Sequence, residues 1–113
     1  MSKRILRVNQ LIQKELSKIL LREVEFPSGV LVTITRVEAS SNLNEAKIYI
    51  SCLPEDKTPE VFQLLKRQVY HIQQILNKRL EMKVVPKIRF VGELKTKEAG
   101  RIEELLERIK KKG

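Results

Sequence analysis

The stretch TPEVFQLLKRQVYHIQQILNKRLEMKVVPKIRFV, residues 58–91, decides the fold of this 113-residue chain. Thr58 followed by Pro59 reads as an N-cap with proline at the first helical position, where a missing N–H removes no helical hydrogen bond. Val61, Phe62, Leu65, Val69, Ile72, Leu76 and Leu80 then recur at spacings of three and four. That single apolar stripe predicts a helix to about Leu80. At 1.5 Å per residue it spans roughly 35 Å, long for a chain of this size, so a kink or break is expected midway. Pro86 has no amide donor and biases Val85 towards extended geometry, so Lys87 to Val91 is expected to be a strand. Ile88 and Phe90 would face inward, and Lys87, Arg89 and Val91 outward.

Working outward, the segment before this one supplies what it packs on. Ile5, Val8, Ile12, Leu16, Ile19 and Leu20 form an apolar stripe, predicting a first helix from Ser2, a plausible N-cap, to about Glu23. Pro27-Ser28-Gly29 breaks it. Val30 to Ala39 is rich in β-branched residues and reads as a strand, but its parity shifts partway. Val30, Val32 and Ile34 share one face while Val37 and Ala39 continue on the other, so a β-bulge near Thr35-Arg36 is expected. Ser40 to Asn44 is a loop of turn formers. Glu45 to Cys52 alternates, with Ala46, Ile48, Ile50 and Cys52 inward and Lys47, Tyr49 and Ser51 outward.

A strand, a helical crossover and a further strand imply parallel pairing, and the hairpin adds an antiparallel neighbour. The expected fold is therefore α+β: α-β-β-α(kinked)-β, with a three-stranded mixed sheet covered on one face by helices. Ile102, Leu105, Leu106 and Ile109 predict a further helix after a loop around Gly92 to Gly100. Residues 1–113 read as a single domain with a short basic end at 110–113.

Charge is the strongest compositional signal. The net value is +9, and it is unevenly spread. Residues 1–24 carry 6 Lys/Arg against 2 Glu, residues 58–93 carry 7 against 3, and residues 94–113 carry 7 against 4. The hairpin region, 25–57, carries 3 against 5 and is slightly acidic. Basic helices around a near-neutral hairpin suit a polyanionic partner such as RNA. A merely solubilising charge is the plainer alternative.

Chemistry for catalysis is sparse. One cysteine, Cys52, falls on a core face and reads as a buried structural thiol, which also fits a reducing compartment. The one histidine, His71, has no sequence-local partner for a dyad. One Cys and one His do not make a metal site, and neither nucleotide-binding glycine fingerprint occurs. Arg101 and Arg108 interleave with Glu103, Glu104 and Glu107 at helical spacings, a pattern of surface ion pairs. No apolar run reaches the length of a membrane span, and the N-terminal pattern is amphipathic rather than secretory. The expectation is a cytoplasmic, non-enzymatic protein without cofactor or metal.

Val32-Thr33-Ile34-Thr35, Asn42 to Ser51, Leu65-Lys66-Arg67, Val85 to Phe90 and Arg101 to Leu106 occur in an order and spacing that resembles the ribosome-binding factor A family. The similarity runs from about Arg4 to Ile109. It implies a type II KH-like domain, a monomer that binds the immature small (30S) ribosomal subunit. It further implies a role in late maturation of 16S rRNA, including its 5′ region, and in cold adaptation. KH domains commonly clamp a nucleic-acid backbone with a GxxG loop. The family has an Ala-x-Gly kink instead, and here those positions read Gln68-Val69-Tyr70; Asn42 stands where the family has Asp. Recognition would then rest on Lys/Arg contacts to phosphate and on shape.

The expected RNA contact surface is Lys66, Arg67, Lys78, Arg79, Lys83, Lys87 and Arg89. Arg4 and Arg7, with Lys3, form an auxiliary N-terminal cluster, and His71 is a lesser candidate that reads first as a surface polar group. Tyr70 on a helix flank would ordinarily pack, with base stacking the alternative. Two other function classes compete. A protein-interaction module would dock through a sheet edge or the terminal helix, and an rRNA-cleaving enzyme would need an acid–base pair that the sequence does not offer.

Overall fold

The computed structural model describes residues 2–92. The helix expected over Ile102 to Ile109, the loop before it and the basic end fall outside the described residues. Helix α1 (Lys3–Glu23) begins as expected: the Ser2 hydroxyl accepts from the Ile5 amide at 3.2 Å, satisfying a donor that the helix leaves free. Strand β1 (Leu31–Ala39) and strand β2 (Glu45–Leu53) form the antiparallel hairpin. Its register slips between Ile34 and Arg36, leaving Thr35 as the extra residue. The bulge turns both Ile34 and Val37 into the core, resolving the parity shift in the sequence.

Helix α2 (Thr58–Arg79) and strand β3 (Lys87–Gly92) complete the described chain. The sheet order is β1-β2-β3, with β3 parallel to the central β2. Two details of α2 depart from expectation. It runs as one α-helix through Gln68-Val69-Tyr70, without a break. No glycine or proline lies between Glu60 and Arg79, so nothing interrupts the i→i−4 ladder. Nor is Thr58 an N-cap. The short 3-10 turn Glu55–Lys57 feeds directly into the helix, Thr58 is already helical, and its hydroxyl donates to the Glu55 carbonyl at 2.6 Å.

Both helices cover one face of the sheet. Ile12, Leu16 and Ile19 of α1 meet Ile48 and Ile50 of β2 and Val61, Leu65, Ile72 and Leu76 of α2, all 2% exposed or less. The core is aliphatic, and Phe26, Phe62 and Phe90 sit half-buried at its margins. Cys52 is buried in it, 5% exposed, with its Sγ 3.7 Å from the Pro54 carbonyl.

Polar side chains of the helices finish the backbone bonding of both outer strands. Asn9 Oδ1 accepts from the Ala39 amide at 2.8 Å, and Gln13 Nε2 donates to the Ile34 carbonyl at 3.3 Å, at the bulge. On the other side Gln73 does both jobs. Its Nε2 donates to the Pro86 carbonyl (3.1 Å) and its Oε1 accepts from the Ile88 amide (2.8 Å). A single amide thus pairs with β3 where a further strand would, and blunts an exposed edge. It also ties α2 to the start of β3 and so fixes the path of residues 80–86 between them.

Candidate nucleic-acid interface

The two helices lie antiparallel: Arg79 reaches Glu15 (3.4 Å) and His71 approaches Glu23 (4.0 Å), so rising numbers on α2 meet falling numbers on α1. This packing brings the start of α1 beside the chain that leaves α2. Between them opens a groove of about 1010 Å³. Its walls are Lys3, Arg4 and Arg7 of α1, the Ser41–Asn44 loop, and residues 81–84.

The loop wall is held by its own side chains. Asn42 Oδ1 accepts from the Asn44 amide (3.1 Å) and from the Ser40 hydroxyl (2.7 Å), while Ser40 Oγ accepts from the Glu45 amide (3.1 Å). Leu43 takes a left-handed backbone, φ 60°, uncommon for a leucine. Its side chain packs half-buried against the core, which offsets the strain. Asn42 therefore has a structural task in this chain: its side-chain oxygen closes the turn.

The structure distributes the expected contact residues over several surfaces. Arg4, Arg7 and Lys83 share the groove, together with Lys3. Among the described residues none of these four has an ion-pair partner. Along α2, 3.6 residues per turn puts Arg67, His71 and Lys78 on one flank and Lys66 on the other, beside Tyr70. Tyr70 is 75% exposed, so it is not a packing residue within the described chain. Arg79 points to α1, where Glu15 holds it, and His71 faces Glu23. Lys87 and Arg89 lie apart from all of these. They alternate with buried Ile88, and so face away from the helices on the uncovered side of the sheet.

Periodicity alone overlooked several participants. Lys47 stands opposite Arg89 on the uncovered face, which only the β2–β3 register reveals. Leu11, Met82 and Val84 line the groove, and Leu11 and Val84 are exposed at 39% and 68%. Their sequence signal is an apolar residue off the stripe, a weak one because lone surface leucines and valines are ordinary. Among the described residues no three His, Cys, Asp or Glu side chains gather as a metal-ligand set, and no helix is long and apolar enough to cross a membrane.

Comparison with known proteins accords with this architecture. The family model described as Ribosome-binding factor A matches residues 4–106. A ribosome-binding factor A from Halothermothrix orenii is 31% identical over 105 residues, covering 92% of this chain and 86% of that protein. Among solved structures, a Thermotoga maritima protein proposed as a ribosome binding factor A superposes with a TM-score of 0.66 at 32% identity. That match covers 80% of this chain and 88% of the other. A homology model of the Thermus thermophilus ribosome binding factor A, fitted into a cryo-EM map of a 30S complex, shares the fold at 17% identity with a TM-score of 0.58, covering 81% of this chain and 93% of that one. Sequence match, strand order and helix placement agree, and the chain belongs to the ribosome-binding factor A family.

Proposed function

We propose that this protein is a non-enzymatic assembly factor that binds the small ribosomal subunit through rRNA, with the groove at the start of α1 as its principal contact. The observation that carries this reading is the meeting of Lys3, Arg4, Arg7 and Lys83 around one concavity, without carboxylate partners among the described residues. Unpaired cations on a concave surface attract phosphate, and each contact releases condensed counterions, so binding is expected to be steeply salt-dependent. Arg67 and Lys78 on the outer flank of α2 extend the same helix-side surface. Lys66, Lys87 and Arg89 are proposed as outlying contacts, and His71 and Arg79 as lesser ones because glutamates already engage them.

The Thermus thermophilus relative fitted into a 30S map supports the choice of particle. Family membership supports the finer reading: a cytoplasmic monomer, one domain over residues 1–113, that promotes late maturation of 16S rRNA near its 5′ end and is needed in the cold. No cofactor or metal is required for such a role. Co-sedimentation with purified small subunits across a salt series tests the binding, and 5′-end mapping of 16S rRNA from cells lacking the protein, grown cold, tests the role. Binding that ignores salt, or normal 5′ ends in those cells, would contradict the respective claim.

One observation favours a second reading, a protein-docking module. Leu21 is 85% exposed, Leu31 61% and Leu53 56%, and Leu31 pairs with Leu53 at one end of the sheet. Salt-insensitive capture of a purified assembly protein by this end would support it, provided that Leu31→Ser removes the capture.

A further inference from the structure

The end of the molecule where α1 closes is apolar and, among the described residues, uncovered. Between the close of α1 and the opening of β1 lies a cleft of about 400 Å³, bounded by Leu21, Val24 and Phe26 on one side and Leu31, Val32 and Ile34 on the other. No charged side chain lines it, in a chain that is 33% charged. Leu21 is 85% exposed and Leu31 61%, and Leu53, the register partner of Leu31, is 56% exposed. A lone surface leucine is ordinary, but three gathered at one apolar end mark a surface made to be covered.

The chain itself runs towards this end. Strand β3 leaves the sheet at Gly92, which stands in register with Ile50 and, through it, with Ile34 of the cleft wall. Two strand spacings of about 4.8 Å put Gly92 on the order of 10 Å from Ile34. Residues 93–113 follow, and Ile102, Leu105, Leu106 and Ile109 among them fall at helical spacing on one stripe. The nine residues 93–101 can span up to about 30 Å, ample for the crossing. A stripe of two turns is too short to hold as a free helix and takes its stability from an apolar partner surface. Leu11 and Val84 offer no alternative at this end, because they line the groove where β3 begins.

We propose that residues 101–109 dock on this end of their own chain as an amphipathic helix, with the Ile102, Leu105, Leu106 and Ile109 stripe against Leu21, Phe26 and Leu31. The tether decides the occupant. A short linker holds the segment at an effective concentration in the millimolar range, above that of a second copy or of a free protein. The outward side would then carry Glu103, Glu104, Glu107 and Arg108, a charged face in place of exposed leucines. The proposal is independent of the RNA-binding reading, and it fills the surface that a protein-docking module would need.

Amide NMR of the full chain tests it. Leu105→Ser with Leu106→Ser should shift the Leu21, Leu31 and Leu53 resonances and leave those of the Ser41–Asn44 loop in place. Those positions should hold through a dilution on the order of 10-fold, as an intramolecular contact requires. A thermal-denaturation cycle reads the coupling. Leu31→Ser and Leu106→Ser should each lower the midpoint by about 4 °C, and together by little more than either alone. Leu31 is largely exposed, so its variant keeps the core intact. Additive losses overturn the proposal, as do resonances at Leu21, Leu31 and Leu53 that ignore the C-terminal changes, which would leave the surface to another protein. Resonances that move on dilution overturn it too, by assigning the surface to a second copy.

Discussion

The groove beside α1 and the uncovered face of the sheet carry similar numbers of cations in different settings. In the groove, Lys3, Arg4, Arg7 and Lys83 line a concavity together with polar and apolar side chains, and Glu81 is the one acidic lining residue among the described residues. On the sheet, Lys47 lies between Glu38 of β1 and Arg89 of β3, and Lys87 is paired in register with Glu45. Arg36 bonds Glu38 at 2.7 Å and lies 3.9 Å from the ring of Tyr49, whose hydroxyl also donates to Glu38. The sheet face thus mixes both signs: Glu38 and Glu45 stand beside Arg36, Lys47 and Lys87, and Arg89 alone has a cation as its register partner. Formal charge read along a chain treats the two surfaces alike. Their capacity to hold a polyanion differs because cross-strand neighbours answer one set of charges and leave the other to the ligand.

The largest expected effect follows directly. Charge reversal at Arg4, Arg7 and Lys83 together should weaken small-subunit binding on the order of 100-fold and flatten the salt dependence by about three units of slope. The matching reversal of Lys47, Lys87 and Arg89 should cost only a few-fold. Equal losses in co-sedimentation titrations would erase the distinction between the surfaces. Next comes Gln73→Leu, which leaves the Pro86 carbonyl and Ile88 amide without their partner. It should destabilise the fold by about 1–3 kcal/mol in chemical denaturation and weaken groove binding more than the residue's distance suggests. Unchanged stability would mean that water replaces the amide freely. Asn42→Ala should cost about 1 kcal/mol by releasing the turn that forms the second groove wall, visible as a lower thermal midpoint. Smallest of all is Arg79→Ala. Its pair with Glu15 is partly exposed, so stability should change by about 0.2–1 kcal/mol at most. Subunit affinity should stay within about 2-fold; a larger drop would move Arg79 into the contact surface.

Much of the architecture was legible in the residues themselves. The parity shift between Ile34 and Val37 located the bulge, because a sheet side chain has only two directions to choose from. Pro86 located the entry of β3, and the strand–helix–strand order gave its parallel pairing. Features set by competition between neighbours were harder to read. Thr58-Pro59 has the form of a helix start, yet the Glu55–Lys57 turn had already begun the helical path. Length alone suggested a kink or break in α2; the helix is unbroken, and its residues between Glu60 and Arg79 include no glycine or proline. The candidate site was the least legible part. Helical spacing states which flank a lysine occupies but not what stands opposite it. That Arg4 and Lys83, far apart in sequence, share a groove depends on the antiparallel packing of two helices, and that Arg89 meets Lys47 depends on a register.

The double hydrogen bond of Gln73 has one more consequence. The Ile88 amide is bonded to a helix, not to a strand, so its exchange with solvent tracks whether α2 is seated against β3. The groove wall at 81–84 begins two residues beyond the end of that helix. The Ile88 proton is therefore a built-in gauge of the wall. A ligand that fits the groove as it stands should slow that proton's exchange. One that must pry the wall open should quicken it, and the sign of the change distinguishes a ready-made site from one remodelled on binding.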